Sequence, residues 1–175
     1  MHPPLSARER MERATHVAML GGLNIGGSSA EVAYRSTRII WDAGGYPENP
    51  GEIPDLASVQ NPPDAVFLSH SHADHVGAAV VYARSFRERF GREVSFFVTP
   101  GTAALMEQGL MVGARTLEKM KARGRSFAAP LYTEADVREF LARNVVVVPP
   151  VGMADGRPIY PVIEISPEMK VQFVH

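Results

Sequence analysis

The run Ala65-Val66-Phe67-Leu68-Ser69-His70-Ser71-His72-Ala73-Asp74-His75-Val76-Gly77 places four side chains that bind divalent metals within six positions, directly behind an apolar stretch. The apolar part reads as a buried central strand and the polar part as the loop at its end. In a strand-to-loop turn, His70 and His72 are two apart, so both imidazoles point the same way and can share one ion. Asp74 and His75 then fall on the other side, where a second ion could sit at the separation of roughly 3.5–4 Å that lets two metals act together. Four titratable side chains behind such a strand are costly to bury unpaired, and coordination is the natural compensation. His2 and His16 stand alone and read as ordinary structural histidines.

Periodicity supplies the surrounding elements. Thr15 to Leu20, Ala30 to Tyr34 and Thr37 to Asp42 are strand-like runs between Gly-rich or polar turns, which predicts an antiparallel meander. The proline-rich stretch from Gly44 to Pro63 joins Asp42 to the strand before His70 and is expected as a loop on the metal-binding face. After the histidines, Val76, Ala79, Val80, Ala83, Phe86 and Phe90 recur at helical spacing with arginines on the far face. Gly77 would let the first turn of that helix approach the metal loop closely. Val94 to Val98 reads as a strand. Leu105, Met106, Gly109, Val112, Leu117 and Met120 suggest a longer helix ending by Gly124, its methionines serving as core filler. Thr133 with Asp136 forms a capping-box pattern for a helix from Glu134 to about Arg143. Val145 to Val148 and Val171 to Val174 read as strands, with turns at Pro149-Pro150 and Asp155-Gly156 and one further strand within Pro158 to Ile165.

The His-x-His-x-Asp-His spacing resembles the signature of the metallo-β-lactamase-fold hydrolases, and the likeness runs over essentially the whole chain. Gly21-Gly22-Leu23-Asn24-Ile25-Gly26-Gly27-Ser28-Ser29 and Thr37-Arg38-Ile39-Ile40-Trp41-Asp42-Ala43-Gly44 look like the opening of the RNA-processing branch. That branch is the β-CASP group, with the ribonuclease J-like exonucleases and the cleavage-and-polyadenylation-type nucleases. Phe97 to Leu105 and Leu131 to Val137 also resemble it. The resemblance implies an α/β (α+β) fold, a partial αββα sandwich with a mixed sheet and flanking helices. It implies two zinc ions in the complete site, with His70 and His72 on one and Asp74 and His75 on the other. Asp74 would also orient the proton of a hydroxide shared by the ions, which attacks phosphorus. Asp42, and Gly77 by its close packing, would support the ligands from behind.

Two departures from the family pattern bear on that picture. The glycine-rich opening is one residue shorter than the branch usually has. Val171-Gln172-Phe173-Val174-His175 resembles the strand leading into the third metal motif, so by the resemblance His175 precedes that motif and is no ligand. A third histidine, a bridging aspartate, a further histidine and a general acid are then expected outside this sequence, and metal occupancy here is expected to be partial or weak. Residues 1–13 are expected to form an N-terminal extension, and 14–175 the N-terminal portion of a metallo-β-lactamase-like domain.

Composition agrees with a globular chain. The 175 residues are 45% hydrophobic and 21% charged, with a formal net charge of −1, so no overall basic field attracts nucleic acid. Arginine dominates the cations, in one group at Arg84, Arg87, Arg89 and Arg92 and another around Arg115, Lys119, Lys121, Arg123 and Arg125; such runs are usually solvated helix faces, though arginine also suits phosphate. The absence of cysteine excludes disulfides, thiolate nucleophiles and cysteine-zinc ribbons. With no long apolar stretch, a membrane role is not expected and the cytoplasm is the expected compartment.

Three functions are compatible with these observations: part of an RNA-processing metallonuclease, another hydrolase of the fold acting on a thioester, lactone or phosphodiester, or a non-catalytic domain that keeps the loop. The expected partner is RNA or another phosphodiester. An unfinished sheet further predicts self-association or pairing with a C-terminal half.

Overall fold

The computed structural model describes residues 15–21, 26–49, 51–126 and 132–174; the readings made on residues 1–13, 22–25, 131 and 175 lie outside them. Strands β1 (Thr15–Gly21), β2 (Ser29–Tyr34) and β3 (Thr37–Trp41) pair antiparallel, as the alternating runs predict. Strands β4 (Ala65–Phe67), β5 (Phe96–Val98) and β6 (Val145–Val147) then add in parallel, giving one six-stranded mixed sheet in the order β1-β2-β3-β4-β5-β6. Parallel neighbours need long crossovers. Here α1 (Ala73–Val76) and α2 (Ala79–Phe90) lead from β4 to β5, and α3 (Pro100–Ala122) and α4 (Glu134–Arg143) lead from β5 to β6. A mixed sheet with flanking helices is the expected fold class.

Successive strand residues point to opposite faces, and that alternation sorts the core into two layers. Ile40, Val66 and Phe96 join Tyr82, Phe86, Met106, Leu110, Val137 and Phe140 under the helices. Ile39 and Phe67 face the other way, toward Tyr160, Met169 and Phe173. Phe67 is fully buried there, its ring 5.9 Å from Trp41, 5.1 Å from Phe97 and 5.9 Å from Phe173. The Tyr160 and Phe173 side of this layer accompanies two small hairpins, β7 (Gly152–Ala154) with β8 (Arg157–Ile159), and β9 (Ile163–Ser166) with β10 (Met169–Val171).

Several boundaries differ from the sequence reading, each for a local reason. The single strand expected within Pro158 to Ile165 is two strands, because Pro161 between them has no N–H to give a ladder. The last strand lies at Met169–Val171 rather than Val171 to Val174, since Pro167-Glu168 forms the turn of its hairpin. The expected turn at Asp155-Gly156 is present, with φ of +49° and +73°, the left-handed pair that two-residue hairpins favour. The long helix starts at Pro100, earlier than its apolar spacing suggests, because Thr99 caps it by accepting the Thr102 N–H at 3.3 Å. The capping box at Thr133 and Asp136 is formed in both directions.

Asn144, at the end of α4, ties this helix to the loop before β5. Its side-chain amide donates to Glu93 Oε2 at 3.0 Å and to the Val94 carbonyl at 2.9 Å. The Asn144 hydrogen bond, and then Arg87 and Arg143, hold the Glu93 carboxyl below its ordinary value. A depressed carboxyl contributes stability above its unfolded pKa and loses it as pH falls through the folded value. Glu93 is more than a third exposed, so solvent screening keeps that share small. Asn144→Ala is expected to cost about 1–3 kcal/mol at neutral pH, mostly through the Val94 carbonyl left unpaired. Denaturation across the acid range should also show a shallower pH dependence than in the parent protein.

Candidate metal centre

The loop of interest leaves the carboxyl end of β4, beside the carboxyl end of β3, which is where parallel sheets place their sites. Asp42 ends β3 with φ of +61°, a left-handed turn that aspartate tolerates better than most residues. The turn carries its carboxylate inward, where the residue is only 2% exposed. Asp42 Oδ1 accepts the Ser69 N–H at 2.7 Å, and Oδ2 accepts the Ser69 hydroxyl at 2.9 Å and His75 Nδ1 at 2.8 Å. One buried carboxylate therefore anchors both the strand exit and the second half of the motif.

Proton positions follow from these contacts. The Asp42 carboxylate can only accept, so His75 carries its proton on Nδ1. The Ser69 hydroxyl gives its hydrogen to Asp42, so His70 Nδ1, 3.0 Å from the Ser69 oxygen, is the donor in that pair. Both rings thus keep Nε2 free as a lone-pair donor, the state in which imidazole binds metal. Burial, and then the neighbouring His75 and His72, hold the His70 imidazole below its usual value, against the opposing pull of Asp42 and Asp74.

The three imidazoles lie close together. The His70 ring centre is 4.7 Å from that of His72 and 3.9 Å from that of His75. His75 Nε2 lies 3.7 Å from Asp74 Oδ2, too far for a hydrogen bond. Two donor atoms facing each other with no proton between them are near the roughly 3.3 Å spacing expected of neighbours on one tetrahedral ion. By chemistry and orientation these residues fit a divalent metal. Among the described residues no group of three or more His, Cys, Asp or Glu is arranged to hold an ion.

The support behind the loop is mostly backbone. α1 begins at His72, whose carbonyl accepts the His75 and Val76 N–H groups at 2.9 and 3.0 Å. Ser28 N–H donates to the Asp74 carbonyl at 2.8 Å, Gly45 N–H to Ala73 at 2.9 Å, and Ala43 N–H to His75 at 2.8 Å. Gly77 separates α1 from α2 and packs as expected, for a Cβ there would lie 2.5 Å from the Ala73 carbonyl oxygen. The sequence reading did not single out Ser69, Ser29 or Tyr82. Tyr82 donates to Ser29 Oγ at 3.0 Å, and Ser29 donates to the Asp42 carbonyl at 3.0 Å. For Ser69 and Ser29 the only signal in the sequence is a small hydroxyl beside a strand end, a pattern shared with many turns, and Tyr82 reads as one more core residue of α2.

A mixed sheet with flanking helices, and a histidine-aspartate loop braced by a buried carboxylate at the end of a central strand, define an α/β protein with a candidate metal site. The model of the metallo-beta-lactamase superfamily matches residues 25–159, most of the chain, and the chain belongs to that superfamily. A solved structure described as a new diphosphatase from the PhnP family is similar at 16% identity and a TM-score of 0.39, over 70% of this chain. The chain spans 37% of the length of that structure. Among the described residues no helix is long and apolar enough to cross a membrane.

Proposed function

We propose that this chain forms the histidine-rich part of a zinc-dependent hydrolase that cleaves phosphodiesters, with RNA as the substrate. The observation that carries the reading is the Asp42 carboxylate, which fixes Ser69 and His75 so that the Nε2 atoms of His70 and His75 are presented for coordination. His70 and His72 would hold one ion, and Asp74 and His75 the other. Nitrogen-rich donors with one carboxylate suit zinc. Bound zinc supplies Lewis acidity toward the phosphoryl group and makes water a ready nucleophile near neutral pH. Asp74, partly exposed at the start of α1, would accept a proton during attack. Asp42 holds the ligands in register and takes no part in proton transfer.

RNA as substrate rests on the resemblance of the opening segment to the RNA-processing branch. Residues 26–29 of that segment lie against the metal loop, with Ser28 N–H donating to the Asp74 carbonyl at 2.8 Å. The first arginine group supports the fold instead of facing a ligand. Arg87 pairs with Glu139 at 2.7 Å, Arg92 with Asp64 at 3.6 Å, and Arg89 donates to the Leu56 and Val59 carbonyls.

Zinc-loaded protein should hydrolyse an end-labelled RNA and the model diester bis(p-nitrophenyl) phosphate, and the His72→Ala, Asp74→Ala double variant should fall to background. Turnover of a thioester or lactone with none of either diester would point to another hydrolase of the fold. No turnover by zinc-loaded protein would favour a non-catalytic domain.

A further inference from the structure

Behind the metal loop, between residues 45–47 and 51–53, α1 and the middle of α3, lies a partly open cavity of about 190 Å³. Tyr46, Ile53, Val81, Leu117 and Tyr132 give it largely apolar walls. A cavity of roughly 150 Å³ accommodates a benzene ring, so this one has room for a single ring with a small substituent. Ala73 and Gly77 complete the wall on the side of the metal loop.

Tyr132 gives the cavity its polar feature. The residue is 7% exposed, and its hydroxyl has no hydrogen-bond partner among the described residues. No fully enclosed side-chain oxygen or nitrogen among those residues lacks a partner, so the Tyr132 oxygen keeps contact with the open space it lines. Burial pushes its phenol up to about 12, which keeps it protonated and able to donate at neutral pH. Gly113 makes room for it, since a Cβ there would lie 2.7 Å from the hydroxyl oxygen.

Of the other polar side chains on the described wall, Tyr46, Glu52 and Thr116, two already have partners. Thr116 donates to the Val112 carbonyl at 2.9 Å, and Glu52 accepts from Asn49 at 2.8 Å. Tyr132 brings a free hydroxyl hydrogen to the cavity, and a ligand carbonyl, which only accepts, can take it without burying an unpaired hydrogen of its own.

We infer that this cavity is a binding site for a single-ring, mainly apolar molecule or substituent with one carbonyl-type acceptor, which accepts a hydrogen bond from the Tyr132 hydroxyl. The site is distinct from the histidine cluster and does not depend on the hydrolytic reading. An occupant would press on Ala73, whose carbonyl accepts the Gly45 and Gly77 N–H groups at 2.9 and 2.8 Å, and so would brace the segment that carries Asp74 and His75.

Acetophenone and α-methylstyrene have the same shape and differ in the acceptor, which makes them suitable probes for amide NMR titration of the metal-free protein. Acetophenone should bind saturably and shift the amides of Gly45, Gly77 and Gly113. Tyr132→Phe removes one oxygen and keeps the ring, and should weaken acetophenone about tenfold while leaving α-methylstyrene unchanged. No saturable binding of acetophenone to the parent protein would overturn the inference, as would equal affinity of acetophenone for the parent and the variant.

Discussion

Replacing Asp42 with alanine is expected to lower folding stability by about 3 kcal/mol, through donors left without their acceptor, and to weaken zinc binding by roughly ten- to a hundredfold. The substitution leaves three donors facing an empty space: the Ser69 N–H, the Ser69 hydroxyl and His75 Nδ1. It also leaves alanine at a φ of +61°, which aspartate tolerates better. Asp42→Asn separates the two effects. The amide keeps one oxygen for the Ser69 N–H but turns hydrogens toward His75, which drives the proton to Nε2 and takes that nitrogen away from a metal. Urea denaturation should therefore show a smaller loss for Asn than for Ala, while zinc titration shows comparable losses. Reduced stability with unchanged zinc affinity in both variants would make Asp42 a purely structural anchor.

Gly44→Ala is expected to cost about 3 kcal/mol, at the upper end of overpacking effects. A Cβ at Gly44 would sit 1.8 Å from the Asp74 carbonyl oxygen and 2.5 Å from the Ser28 backbone nitrogen. Both atoms are backbone, and they are hydrogen-bonded to each other at 2.8 Å, so neither can move aside without losing that bond. The strain falls directly on the residue that carries the Asp74 carboxylate, so metal affinity should fall together with stability. Gly109→Ala is the control. That position is exposed in the interior of α3 with nothing within 4 Å of the added carbon, and alanine there should stabilise by about 0.8–1 kcal/mol through helix propensity. A denaturation midpoint for Gly44→Ala equal to that of the parent would mean that the loop and α1 separate more easily than their packing indicates.

Much of this arrangement is legible in the chain because it rests on local chemistry. The meander of β1 to β3 follows from alternation, the start of α4 from Thr133 and Asp136, and the central strand from the apolar run that ends in Leu68. The metal loop is legible because four ligand-type residues at that spacing have few other uses. What sequence could not show depends on contacts distant along the chain. The parallel order β4-β5-β6 is decided by where two helical crossovers land, and three-residue strands such as Phe96–Val98 carry too few positions for a period. His75 turns back against His70 because Asp42, thirty-three residues earlier, accepts a hydrogen bond from its Nδ1–H. Ser69 and Gly44 stand within the quoted motifs, but their roles appear only once β3 and β4 lie side by side. Tyr132 shows no signal at all, since its distinction is the cavity before it.

The most direct test of the account is zinc stoichiometry, measured by equilibrium dialysis against zinc and elemental mass spectrometry, for the parent chain and the His72→Ala, Asp74→Ala double variant. The account predicts about one to two zinc ions bound by the parent chain and none retained at the loop by the variant. Equal zinc in both, or none in the parent chain at saturating zinc, would contradict the assignment of His70, His72, Asp74 and His75 as a metal centre.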